Sequence, residues 1–165
     1  MKSYKMMFAL LASVVMIGML SAPAFATTTL TTTFAVTAAV QSTCSVSATA
    51  MGFGTYVPTA ASTATSTISV TCTNTTPYNV GLTAGATSGA TITTRQMLNG
   101  TASLNYSLAQ NSAMTTAWGY TVGTNTETGT GSGAAQTYTV YGQVPSGQYV
   151  TPGSYTDTMT VDVIY

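Results

Sequence analysis

Apolar and hydroxyl side chains alternate along most of this chain with a period of two, the spacing of a half-buried β-strand. Thr31–Cys44 reads "TTTFAVTAAVQSTC". It places Phe34, Val36, Ala38 and Val40 on one face and carries no charge. A one-residue slip would present Thr33, Ala35, Thr37 and Ala39 instead. Further strands are predicted at Cys44–Ala48 and, briefly, at Met51–Tyr56. Ser66–Thr73 aligns Ile68, Val70 and Cys72, and Tyr78–Ala84 aligns Tyr78, Val80 and Leu82. Ser103–Gln110 aligns Leu104, Tyr106 and Leu108, and Thr137–Val144 aligns Tyr138, Val140 and Val144. The last run, Ser154–Tyr165, aligns Tyr155, Met159, Val161, Val163 and Tyr165. Two Gly/Thr-rich stretches, Ala84–Gly100 and Gly123–Gln136, read as loops. About six core strands plus the N-terminal one suggest an all-β, immunoglobulin-like sandwich.

The ends of this pattern raise a pairing problem. The N-terminal strand has no obvious partner, and nothing after the last run could form a hairpin with it. An unpaired strand edge is an aggregation hazard unless another chain covers it.

Residues 1–26 change where the folded part is expected to start. Lys2 and Lys5 precede an apolar run from Met6 to Leu20, and Ala24-Phe25-Ala26 supplies an A-x-A-like cleavage site, as in a secretory signal. About 15 apolar residues fall short of the roughly 20 that span a bilayer. No later stretch reads as transmembrane. Cleavage after Ala26 would leave 139 residues, enough for one domain.

Charge is scarce: 4% of the chain, against about 25% in ordinary soluble proteins. Beyond residue 26 stand Arg95 and, opposing it, Glu127, Asp157 and Asp162, a net charge of −2. Such a surface excludes nucleic acid as a partner, since nothing could neutralise its phosphates. It is also poorly defended against self-association. Cys44 and Cys72 are the two cysteines, and in an exported chain they are most simply one disulfide.

Catalytic chemistry lacks its parts. The sequence contains no His, so neither a Ser-His-Asp triad nor a His-based metal site is available. Asp157 and Asp162 are five residues apart and fall on opposite faces of a regular strand. "GTGSG" at Gly129–Gly133 has no P-loop Lys. The expectation is a protein that is not an enzyme and uses no cofactor. Asp157 shares the inward phase of Tyr155 and Met159. It either pairs with Arg95 or accepts backbone N–H groups at an end of the sandwich. Trp118 is either a sugar-stacking platform, as in a secreted carbohydrate-binding sandwich, or internal packing.

Several motifs occur in a recognisable order. They are Phe34, Val36, Val40 and Cys44 in "FxVxxxVxxxC", then "FGTY" (53–56), "ISVTCTNTTPYNVGL" (68–82), "RQM" (95–97) and "LNYSL" (104–108). "WG" (118–119), "VYGQVPSGQ" (140–148) and "GSYTDTMTVDVIY" (153–165) follow. Together they resemble the spore coat protein U domain family, which includes the pilins of archaic, Csu-type chaperone–usher pili. The resemblance implies an incomplete immunoglobulin-like β-sandwich lacking its last strand, with an N-terminal donor strand. It implies residues 1–26 as signal peptide, 27–41 as donor-strand extension and 42–165 as the sandwich domain. Phe34, Val36, Ala38 and Val40, with Leu30 before them, would face the groove of a neighbour. The partners implied are further copies or related pilins, a periplasmic chaperone and an outer-membrane usher. The place implied is the periplasm and then the cell surface, in a fimbrium serving attachment and biofilm formation. A spore-coat-like shell protein is the other assembly that the family suggests.

Overall fold

The computed structural model describes residues 25–165. The predicted leader falls on residues 1–26, and all but its last two residues lie outside the described ones. The chain divides into a unit spanning Met1–Ala38 and a second spanning Ala39–Tyr165. In the first, residues 25–38 form no strand and are exposed. Among the described residues no helix is long and apolar enough to cross a membrane.

The second unit is an all-β, immunoglobulin-like sandwich. Its strands are β1 (Cys44–Ala48), β2 (Ser62–Cys72), β3 (Pro77–Leu82), β4 (Arg95–Asn99), β5 (Ala102–Ala109), β6 (Glu127–Thr130), β7 (Gln136–Val144) and β8 (Val161–Ile164). One sheet has the order β1-β2-β7-β5-β4 and the other β6-β3-β8. All the pairings are antiparallel.

The predicted inward faces make the core. Ile68, Val70 and Cys72 of β2 are buried with Tyr78, Val80 and Leu82 of β3 and Leu104, Tyr106 and Leu108 of β5. Val140 and Val144 of β7 join them, and Tyr138 packs against the cluster. This is the expected consequence of period-two alternation in two facing sheets. Tyr138 and Tyr78 meet edge to face and share a hydrogen bond of 2.8 Å between their hydroxyls. Burial and that bond raise the Tyr138 phenol above its ordinary pKa.

Cys44 and Cys72 stand opposite each other in the β1–β2 register and form a disulfide. Thr43 O accepts from Thr73 N at 2.9 Å just beyond it. The crosslink closes a loop of about 29 residues, worth roughly 3–4 kcal/mol in the chain-entropy model. Replacing both cysteines by Ala is expected to lower unfolding free energy by that amount. The shift of the urea midpoint measures it, and a loss under about 1 kcal/mol would contradict the account.

The structure departs from the sequence pattern in four places. Met51–Tyr56, predicted as a short strand, forms none. β4 lies inside the predicted 84–100 loop, and β6 inside the predicted 123–136 loop. Glu127–Thr130 contains no apolar side chain, so its strand character comes from backbone pairing with Pro77–Val80. The final run was expected to be one long strand, but only Val161–Ile164 forms a ladder. Upstream, Thr156 forms an isolated bridge with Leu98 of β4. The run therefore bridges one sheet at Thr156 and pairs with the other, through β3, from Val161.

Candidate functional site

β1 is an outer strand of the larger sheet and β8 an outer strand of the smaller, and the two come into contact. Next to them the sandwich opens. Ala48–Met51 and Phe53 form one rim of a cavity of about 540 Å³, and Tyr155–Met159 with Val161 form the other. Its floor is core: Ile68, Leu82, Leu108 and Val140, with Met97 and Tyr106. A second cavity, of about 740 Å³, shares Met51, Phe53, Met97 and Tyr155 and continues past Leu104, Val144 and Val150. The two make one apolar groove along the interior of the sandwich.

Local sequence shapes both rims. Gly142 on β7 lets the first rim lie close, because a Cβ there would collide with Met51 Sδ and the Phe53 ring. Ser62 Oγ donates to Phe53 O at 2.7 Å and ties that rim to β2. On the other rim, Thr83 N donates to Thr160 O, whereas Leu82 N turns away from β8 to Gly119 O. Antiparallel pairs alternate in this way, so Val161 and Val163 direct their backbone N–H and C=O groups away from β3. β8 thus offers an edge that another strand could extend.

Polar groups interrupt the apolar lining at Thr49 and Ser66, whose hydroxyls meet at 3.2 Å, and around Asp157. Asp157 Oδ2 accepts from the Tyr106 hydroxyl at 2.7 Å. Its Oδ1 accepts from Ala86 N at 2.9 Å and Thr158 N at 2.8 Å. Gly85 has a positive φ of 96° and sits so near this carboxylate that no side chain would fit. Burial pushes the Tyr106 phenol well above its ordinary pKa, and its bond to Asp157 adds to the rise. Tyr106 therefore stays a neutral donor to a carboxylate.

Arg95 and Asp157 do not form the direct pair that one reading expected. Arg95 is fully buried (0% exposed) and bonds to backbone carbonyls instead. Its Nε donates to Thr83 O, Nη1 to Ile92 O, and Nη2 to Leu82 O and Trp118 O. Burial lowers its pKa, opposed by the nearby Tyr106 and Asp157. Four carbonyls at the end of β3 and in the neighbouring loops need a fork-shaped donor, and a guanidinium supplies it. Asp157 is occupied by Tyr106 and two backbone amides.

Trp118 is no sugar platform. It is 1% exposed, its Nε1 donates to Val80 O at 2.9 Å, and its ring meets Tyr138 edge-on. The carbohydrate-binding reading loses its anchor with it.

Phe34, Val36 and Val40 are 85%, 83% and 88% exposed, and Ala38 is exposed as well. All four lie outside the strands. Sequence reasoning missed the groove-lining set of Met51, Phe53, Met97, Tyr106 and Met159. Their alternation signals an inward face, and an uncovered inward face has the same periodicity as a covered one.

The Spore Coat Protein U domain matches residues 30–162. The chain belongs to the Spore Coat Protein U domain family. The match begins at Leu30, so the family domain takes in Phe34, Val36, Ala38 and Val40 as well as the sandwich. A solved structure is also similar, that of the CsuC–CsuE chaperone–tip adhesion subunit pre-assembly complex from archaic chaperone–usher Csu pili of Acinetobacter baumannii. One of its chains shares 26% identity at a TM-score of 0.55, covering 76% of this chain and 40% of that one. This Spore Coat Protein U domain protein therefore spans less than half the length of that chain. No curated protein matches it.

Proposed function

We propose that this Spore Coat Protein U domain protein is a structural subunit of a surface pilus, built by exchange of strands between copies. The observation that carries the reading is the pairing of opposites within one sequence. An apolar groove opens beside a free strand edge. An uncharged segment with an apolar alternate face stands exposed outside every strand. Strand addition uses main-chain bonds for affinity and alternate side chains for specificity, and these two features meet both needs. Phe34, Val36, Ala38 and Val40 are the groove-facing residues of the donor segment, and residues 42–165 are the acceptor body. Each copy then carries one donor and one acceptor, a head-to-tail arrangement that builds a fibre.

The family and the Csu complex support a reading of the rest of the pathway. Residues 1–26 direct export, a periplasmic chaperone covers the groove of the unassembled subunit, and an outer-membrane usher hosts the exchange. At the cell surface the fibre serves attachment and biofilm formation. The role is structural and requires no cofactor.

A peptide of residues 28–40 tests the reading when added to the monomeric protein, separated from oligomers by size-exclusion chromatography. It is expected to bind saturably. The same peptide with Phe34→Asp is expected to bind on the order of 100-fold more weakly, because a carboxylate replaces a buried ring. Equal binding of both peptides, or of neither, would overturn strand acceptance by this groove.

A further inference from the structure

Three of the four methionines beyond residue 26, Met51, Met97 and Met159, line the groove. The fourth, Met114, lies in the turn after β5 with a positive φ of 56°. The three groove methionines are each partly exposed. Met51 Sδ lies over Gly142, and Met159 Sδ lies 3.1 Å from the Tyr106 hydroxyl oxygen, whose proton goes to Asp157. Methionine suits a surface that repacks around an inserted strand, because its thioether stem is flexible and polarisable. The same thioether is the group in this groove that mild oxidants attack.

We propose that Met51, Met97 and Met159 form an oxidation-sensitive site whose modification closes the groove to an incoming strand. The proposal rests on the strand-accepting reading of the groove. The oxidant is a hydroperoxide. In the step, the O–O bond of hydrogen peroxide breaks, one oxygen atom bonds to the sulfur, and the other leaves as water. Sulfur loses two electrons and the peroxide gains them. The product sulfoxide is a strong acceptor where an apolar face must seat. Phe34, Val36, Ala38 and Val40 carry no side-chain hydrogen-bond donor, so the sulfoxides would be stripped of water without a partner from that face. A seated strand covers the same sulfurs. The sensitivity therefore belongs to the unfilled groove, and an assembled fibre resists.

Hydrogen peroxide treatment of the monomeric full-length protein, separated from assembled oligomers by size-exclusion chromatography, tests this, with peptide mass mapping and binding of the 28–40 peptide as readouts. Sulfoxide is expected at Met51, Met97 and Met159, and much less of it when the peptide is bound beforehand. Peptide affinity is expected to fall at least about tenfold after oxidation, by the cost of burying unpaired polar groups. Methionine sulfoxide reductase is expected to restore it. A Met51→Leu/Met97→Leu/Met159→Leu variant, a volume-conserving change, is expected to keep its affinity through the same treatment. Full oxidation of the three with unchanged binding would overturn the proposal alone. So would an equal loss in the Leu variant, or a loss that the reductase does not recover. A peptide that fails to bind the untreated protein would overturn the groove reading and the proposal with it.

Discussion

Deleting Thr27–Val40 is expected to leave a folded, disulfide-bonded body that no longer assembles. Residues 27–40 are exposed and lie outside every strand, while the core, the disulfide and the buried Arg95 all belong to Cys44–Tyr165. The melting curve of the body should therefore move little, by about 0.5 kcal/mol or less, as for other surface changes. Assembly should respond very differently. Burying one Phe and two Val side chains stabilises a junction by about 5–8 kcal/mol before ordering costs. Roughly ten backbone hydrogen bonds at about 1 kcal/mol each add to that. Loss of the whole segment removes every donor–acceptor junction. Light scattering and size-exclusion chromatography should show oligomers for the full chain and none for the truncated one. The truncated body should still take up the 28–40 peptide, because its groove is intact. Identical oligomeric states for the two forms would sink the fibre reading.

The parts of this molecule legible in the sequence are those where side chains repeat a backbone period. Ile68, Val70 and Cys72, or Tyr78, Val80 and Leu82, announce both a strand and its buried face, and the structure puts them in the core. β6 was illegible because Glu127–Thr130 is held by its backbone and shows no apolar rhythm. β4 begins with a buried Arg, and a charge at the head of a Gly/Thr-rich stretch reads as loop. The groove was half legible. Phe34, Val36, Ala38 and Val40 display an apolar face that needs a partner, and alternation shows as much. What alternation cannot show is which inward face has lost its cover, so Met51, Met97 and Met159 looked like ordinary packing. Asp157 and Arg95 show a further limit. Opposite charges in a charge-poor chain suggest each other, yet the guanidinium spends four of its five donors on carbonyls and the carboxylate is held by Tyr106 and two backbone amides.

Arg95→Met is expected to be the most damaging single substitution in the body, costing at least about 4 kcal/mol. Met retains much of the apolar stem of Arg but none of its donors. The carbonyls of Leu82, Thr83, Ile92 and Trp118 would lose the guanidinium. Each buried acceptor left unpaired costs roughly 1–3 kcal/mol, partly relieved where water can enter. Small domains are stable by only about 5–15 kcal/mol, so the loss takes a large share of the total. For a domain of this size it corresponds to a fall in Tm on the order of 15 °C. Arg95→Lys should recover only part of it. Its ammonium keeps the charge, but three donors on one nitrogen cannot match a planar fork serving four acceptors. Denaturant midpoints of the two variants against the parent measure both effects. A Met variant within about 1 kcal/mol of the parent would mean that water or rearrangement satisfies the carbonyls. The consequence reaches the groove, because Leu82 accepts from Arg95, lines the groove floor and pairs with Val161 at its free edge. Strand acceptance in Arg95→Met should therefore fail at temperatures where the core is still folded, since the edge that receives the strand is anchored through the bonds that were removed.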